Sequence, residues 1–262
     1  MFIDVHTHAF HPKIAHKVVD QLENHYSVSP VGNGRLEDLT ERLDRAGIDK
    51  AVVLAAATSG DQVIPANNWA IHIKETYPSL IPFGTIHPDF DRLESELDRL
   101  QKNNITGLKF HPDFQGFRMD DPALYEIMEM VADRFICLFH VGDTLPPEEN
   151  PSCPKKLAKL HRTFPNTPII AAHMGGYRQW EYSLEHLADT KVYVDSSSVM
   201  DFVDDSLLKQ LFDSFGSERT LFGSDYPLYD PATEIERLKS RLHLSETALD
   251  SLLNNASHLL CS

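Results

Sequence analysis

His6 and His8 stand two residues apart in the opening stretch Phe2-Ile3-Asp4-Val5-His6-Thr7-His8. In an extended strand, residues i and i+2 leave the same face, so two imidazoles are aimed at one point. Two strand rises, about 6.6 Å of backbone, separate them, a span that convergent side chains close around one divalent cation. A lone H-x-H is a weak signal, because histidines also end strands as hydrogen-bonded polar residues. Further ionisable groups, however, end apolar runs along the chain: Lys109 and His111, His140, His173 and Asp225. Singly, His140 or His173 reads as a satisfied strand-end histidine, and Asp225 as a cap before Tyr226-Pro227. Several imidazoles and a carboxylate converging on one mouth would repel and stay unsatisfied without a cation.

The elements that must position them alternate. Eight short runs rich in Val, Ile, Leu and Phe, at 1–7, 50–56, 80–86, 107–110, 135–140, 168–173, 191–195 and 220–223, are separated by helical patterns. The predicted helices cover 36–46, 67–76, 91–102, 122–133, 154–163, 178–188, 202–215 and 232–242. This β-α rhythm predicts an α/β protein with a parallel sheet, a distorted (β/α)8 TIM barrel forming one domain over 1–262. A last amphipathic stretch at 245–254 is expected as an extra C-terminal helix, packed outside the barrel or completing its helical ring. Reactive groups in such barrels sit at the carboxyl ends of the strands, where these ionisable residues fall. Alternation places Lys109 and His111 on one face with Leu108 and Phe110 on the other, and puts Ile136, Leu138 and His140 together. His-Pro-Asp-Phe occurs twice, at 87–90 and 111–114, which is read as similar loop chemistry rather than duplication.

The formal net charge of −15 opposes binding to a phosphate backbone, and no basic run offsets it, so nucleic acid and anionic membrane surfaces are not expected partners. No window approaches the roughly 18 apolar residues of a spanning helix, and the chain is expected to be cytoplasmic. Cys137, Cys153 and Cys261 are odd in number and lie outside any C-x-x-C, which fits reduced thiols.

The ordered set Asp4-Val5-His6-Thr7-His8, Gly107-Leu108-Lys109-Phe110-His111-Pro112, Leu138-Phe139-His140-Val141-Gly142, Ala172-His173-Met174-Gly175-Gly176 and Phe222-Gly223-Ser224-Asp225-Tyr226-Pro227 resembles the amidohydrolase superfamily. The resemblance spans nearly the whole chain. Within the superfamily it is to the branch of metal-dependent hydrolases and decarboxylases that includes aminocarboxymuconate-semialdehyde decarboxylase. It implies that His6, His8, His140 and Asp225 hold a divalent metal, and that His173 supports catalysis or binds a second ion. Imidazoles with one carboxylate suit zinc, with manganese or iron as substitutes, and incomplete coordination keeps a position for water, whose pKa a cation can lower from about 15.7 to about 7. Asp225 would touch the metal and move the water's proton to the leaving group, while His173 would steady an oxyanion or move a proton. TatD-type nucleases begin with a similar H-x-H but carry an acidic residue where this chain has Lys109.

Lys109 reads either as a charged contact for a substrate carboxylate, which is favoured, or as a carbamylated bridge between two metals. His111 and Arg118 are further candidates for substrate binding, although Arg118 could simply pair with Asp120 or Asp121. His87, Tyr177 and Arg178 are weaker candidates, and Asp195 is expected to buttress the site or cap the next segment. The leading expectation is hydrolysis of an amide, lactone or ester of a small carboxylate-bearing molecule. Decarboxylation or hydration on the same scaffold is the rival, and a metal-binding barrel without turnover is a third reading. Phe10, His11 and Pro12, with the loop at 143–154, could form a lid or a homodimer contact.

Overall fold

The computed structural model describes residues 1–260. Nine parallel strands carry the architecture: β1 Ile3–Thr7, β2 Lys50–Val53, β3 Leu80–Pro82, β4 Gly84–Thr85, β5 Gly107–Phe110, β6 Ile136–Phe139, β7 Ile169–Ala171, β8 Tyr193–Asp195 and β9 Thr220–Leu221. They form a three-stranded sheet, β1-β2-β3, and a six-stranded sheet running from β4 to β9 in chain order. The third predicted run is therefore one strand broken at Phe83, whose N–H donates to Val53 O at 3.0 Å. Its preceding residue, Pro82, has no N–H to give. The other edges meet where Val5 N donates to Phe222 O at 2.8 Å and Asp225 N to His6 O at 2.8 Å, closing eight β-runs into a (β/α)8 barrel.

Strand faces follow the pleat. Leu108 and Phe110 of β5, and Cys137 and Phe139 of β6, pack in the outer core under the helices. Ile3, Val5, Val52, Ile136, Leu138 and Ile170 fill the barrel interior. Gly107 is obligatory for this packing, since a Cβ there would lie 2.3 Å from the Phe83 ring.

Helices form where apolar residues recur at helical spacing. In Leu36–Ala46, for example, Leu36, Leu39 and Leu43 are buried and Gly47 ends the helix at φ 69. Helix Glu246–Asn254 buries Leu249, Leu252 and Leu253 in the outer core, whereas Ala256 just beyond it reaches the barrel interior. Besides the single-turn helices Pro112–Gln115 and Ser257–Leu260, the sequence reading lacks one long helix: Ala15–Tyr26, which buries only Ala15 and Val19 and has no side-chain N-cap. Among the described residues, no helix is long and apolar enough to cross a membrane. Cys137 and Cys153 are buried free thiols; Cys261 lies outside the described residues.

Candidate active site

The carboxyl ends of the strands bring His6, His8, Lys109, His111, His140, His173 and Asp225 to one cavity of about 1160 Å³. Strict alternation does not by itself put His6 there, because Val5 already faces the interior. Between Asp4 and Thr7 strand β1 carries one residue more than β2, an irregularity that re-aims His6 toward the mouth. Asp4 clamps this bulge, accepting from His6 N and Ser224 N at 3.0 Å each. Complete burial pushes the Asp4 carboxyl up to about 7. Gly223 lets β9 come close, since a Cβ there would lie 2.9 Å from the His6 Cβ.

The tautomers of the first two histidines follow from their partners. Asp195 Oδ2 lies 2.9 Å from His6 Nδ1, and the backbone carbonyl of Leu54 lies 3.0 Å from His8 Nδ1. A carbonyl oxygen and an ionised carboxylate can only accept, so each Nδ1 bears the proton and each Nε2 keeps its lone pair. Those Nε2 atoms lie 3.6 Å (His6) and 3.3 Å (His8) from Asp225 Oδ1. Ligand atoms of the three residues all lie within 4.8 Å of one another. Burial would raise the Asp225 carboxyl, but His6, His8 and His173 outweigh it and hold it well below the usual carboxylate range. Burial holds the His6 imidazole below its ordinary value despite Asp195, so it is uncharged at neutral pH. Lone pairs thus converge without enough protons to separate them, and two imidazoles with one carboxylate are a donor set that fits a divalent cation.

His140 is placed differently from the expected fourth ligand. Its Nε2 donates to Gly142 O at 2.8 Å, which leaves Nδ1 to accept from His173 Nε2 at 3.0 Å. The Ser197 hydroxyl lies 2.8 Å from His173 Nδ1 and also donates to Asp195, so its single proton serves one of the two at a time. A chain of exchangeable protons runs from Asp195 through Ser197 and His173 to His140. Burial pulls the His173 imidazole down to about 4 and holds His111 and His140 well below their usual range. All three are uncharged at neutral pH. His173 and Asp225 both occupy left-handed backbone, at φ 60 and φ 65, held by His173 N to Asp195 Oδ1 at 3.0 Å and by Asp225 N to His6 O at 2.8 Å.

Lys109 is 1% exposed and its Nζ has no hydrogen-bond partner among the described residues. Burial lowers its pKa to about 8, against the opposing pull of Asp195 and Asp225. His111 stacks on His140 at 3.8 Å between ring centroids and meets the Tyr26 hydroxyl at 3.2 Å. Arg118 does not reach the cavity: it is 45% exposed, donates to Asp120 Oδ1 at 3.0 Å, and its nearer alternative is this surface pair. His87 is tied to the Gln115 carbonyl at 2.9 Å outside the lining, and Arg178 lies over the Phe202 ring at 4.8 Å. Tyr26, which lines the cavity, and His25, with its 3.0 Å pairing to Asp143, belong to no motif that singles them out in the sequence. The spacing of Ile14, Val18, Leu22 and Tyr26 is the signal that marks their helix.

A family model described as Amidohydrolase matches residues 3–258. The chain belongs to the amidohydrolase family. This amidohydrolase is similar in structure to an uncharacterised TIM-barrel protein from Bordetella bronchiseptica, at 17% identity and a TM-score of 0.78, covering 99% of this chain and 98% of that one. It is also similar to a 5-carboxyvanillate decarboxylase from Novosphingobium aromaticivorans complexed with manganese and a nitrobenzoic acid, at 16% identity and a TM-score of 0.74, covering 99% and 96%. A third similar structure is a probable 2-pyrone-4,6-dicarboxylic acid hydrolase from Acinetobacter baumannii with citric acid bound, at 15% identity and a TM-score of 0.68, covering 99% and 98%. At these identities the likeness is one of fold. No curated protein matches the chain by sequence.

Proposed function

We propose that this amidohydrolase is a metal-dependent hydrolase that cleaves an amide, lactone or ester in a small molecule carrying a carboxylate. The observation that carries the reading is Lys109, a buried amine without a partner among the described residues, on the wall of the cavity that holds the His6, His8 and Asp225 acceptor atoms. An ammonium buried alone costs several kcal/mol, and an anion arriving with the ligand would offset that cost.

His6, His8 and Asp225 would hold the divalent cation, with zinc or manganese suiting the donors. When bound, the cation supplies Lewis acidity, polarising a carbonyl oxygen and making water more acidic. Lys109 orients the substrate through its carboxylate. His173, uncharged at neutral pH, takes a proton and passes it along Ser197 or His140. Asp195 keeps His6 in the Nδ1-protonated form.

One observation favours decarboxylation as a second reading. Asp225 has one oxygen facing His6 and His8 and the other accepting the Ser198 hydroxyl, so it is a poor acceptor for a proton from water. The His140, His173 and Ser197 chain could instead deliver one proton to a carbon that has lost carbon dioxide. Turnover of metal-loaded protein on matched panels of lactones, esters, amides and aryl carboxylates in ¹⁸O-labelled water separates the two. Hydrolysis places one ¹⁸O in the product; decarboxylation releases carbon dioxide and leaves one solvent hydrogen on carbon. No turnover of any panel member, or turnover unaffected by Lys109→Met, would contradict the proposal.

A further inference from the structure

The catalytic groups occupy only the floor of a cavity whose volume, about 1160 Å³, exceeds the roughly 300–1,000 Å³ of common small-molecule sites. Helix Ala15–Tyr26 with the residues just before it makes one wall: Ile14, Val18, Leu22 and Tyr26, spaced four apart, all line the space. Val19, which adjoins this stripe on the helix, is buried where a Cβ on Gly34 would come within 2.7 Å of it. The helix is tied at its C-terminal end, where Tyr26 meets His111 at 3.2 Å and His25 meets Asp143 at 3.0 Å. Trp69 forms a second wall. Its indole N–H donates to Ala9 O at 3.0 Å, with the His11 and His72 rings 5.1 and 5.3 Å away, so it is a fixed platform.

The charge of the lining runs against that of the protein. Among 39 acidic residues only Asp225 lines the cavity, whereas Lys13 and Lys17 stand at its rim and Lys109 at its floor. Neither rim lysine pairs with a carboxylate among the described residues. Cationic groups at a mouth in an otherwise acidic surface attract and orient anions.

Resting on the reading of Lys109 as a carboxylate contact, we propose that the substrate is an elongated dianion. Its acid head sits at Lys109, an apolar body of at least two rings or an equivalent chain lies between the helix stripe and Trp69, and a second anionic group meets Lys13 and Lys17. A single-ring acid would fill only a small part of a cavity of this volume.

Calorimetric titration of the protein, purified without chelator, with benzoate, biphenyl-4-carboxylate and biphenyl-4,4′-dicarboxylate tests this. Weak ligands are measured by competition. The second ring is expected to tighten binding about 30-fold, the gain from burying one more phenyl group. The second carboxylate is expected to add a further factor of about 3 to 10 at low salt, lost in Lys13→Gln/Lys17→Gln and at high salt. In Val18→Ser/Leu22→Ser the ratio of biphenyl to benzoate affinity falls severalfold, and Trp69→Leu provides a second variant should the first fold poorly. Equal affinities for benzoate and the biphenyl acids, or a preference that survives both wall variants, would overturn the elongated substrate while leaving the carboxylate site standing. Failure of all three acids to bind, or binding indifferent to Lys109→Met, would overturn the underlying reading and this inference with it.

Discussion

Asp195 Oδ2 accepts a hydrogen bond from His6 Nδ1 at 2.9 Å, joining two side chains 189 positions apart at the closing edge of the barrel. Asp195 is fully buried, and its other oxygen accepts from His173 N at 3.0 Å and Ser197 N at 3.1 Å. One carboxylate therefore fixes the tautomer of His6, the left-handed turn at His173 and the start of the serine run. Asp195→Asn can present its amide nitrogen to His6 and reverse that tautomer. Metal affinity, read by chelator competition, is expected to fall about 10- to 100-fold. An unchanged affinity would mean that Asp195 serves folding alone.

Lys109 and Arg118 make a paired contrast. Replacing the buried, unpartnered ammonium by an apolar chain of similar length removes a desolvation cost, so Lys109→Met is expected to raise the melting temperature. It should also lower kcat/KM for carboxylate substrates about 100-fold, chiefly through KM. Arg118→Met, at an exposed surface pair, should leave kcat/KM within about twofold. A fall in both stability and activity at Lys109 would instead make it a structural residue.

Glu234 offers a pH signature. It is 1% exposed, one oxygen accepts from Arg237 at 2.9 Å, and the other has no partner among the described residues. Burial pushes its pKa up from 4.5 to about 7, against the pull of Arg237. Between those values the folded protein holds a proton that the unfolded chain has released. Stability therefore falls as pH rises through that window, and the cost persists above it. Glu234→Gln is expected to raise the melting temperature by about 2–4 °C at pH 8 and to flatten the decline between pH 5 and 7. Thermal denaturation across pH checks this, and a variant less stable at pH 8 than the parent would refute it.

Much of the site was legible because its residues sit at strand ends, where a period of two is unambiguous. Lys109 and His111 are opposed to Leu108 and Phe110, and His140 follows Ile136 and Leu138, as the pleat requires. The bulge in β1 was not legible, since an extra residue is defined only against the partner strand that it slips past. Helix Ala15–Tyr26 was missed because Ile14 at its N-cap offers no side-chain hydrogen bond and most of the helix's apolar residues face a cavity rather than the core. Arg118 lies outside the cavity lining for a related reason. A loop position fixes no direction, and Asp120 two residues on is the nearer partner.

The central claim is that His6, His8 and Asp225 form a cation site. Elemental analysis of protein purified without chelator or affinity nickel, alongside His6→Ala and Asp225→Asn, tests it most directly. We expect about one equivalent of zinc or manganese per chain, falling to a small fraction in both variants. A chain that carries no divalent metal and takes up none on addition would contradict the claim, as would an equivalent that both variants retain.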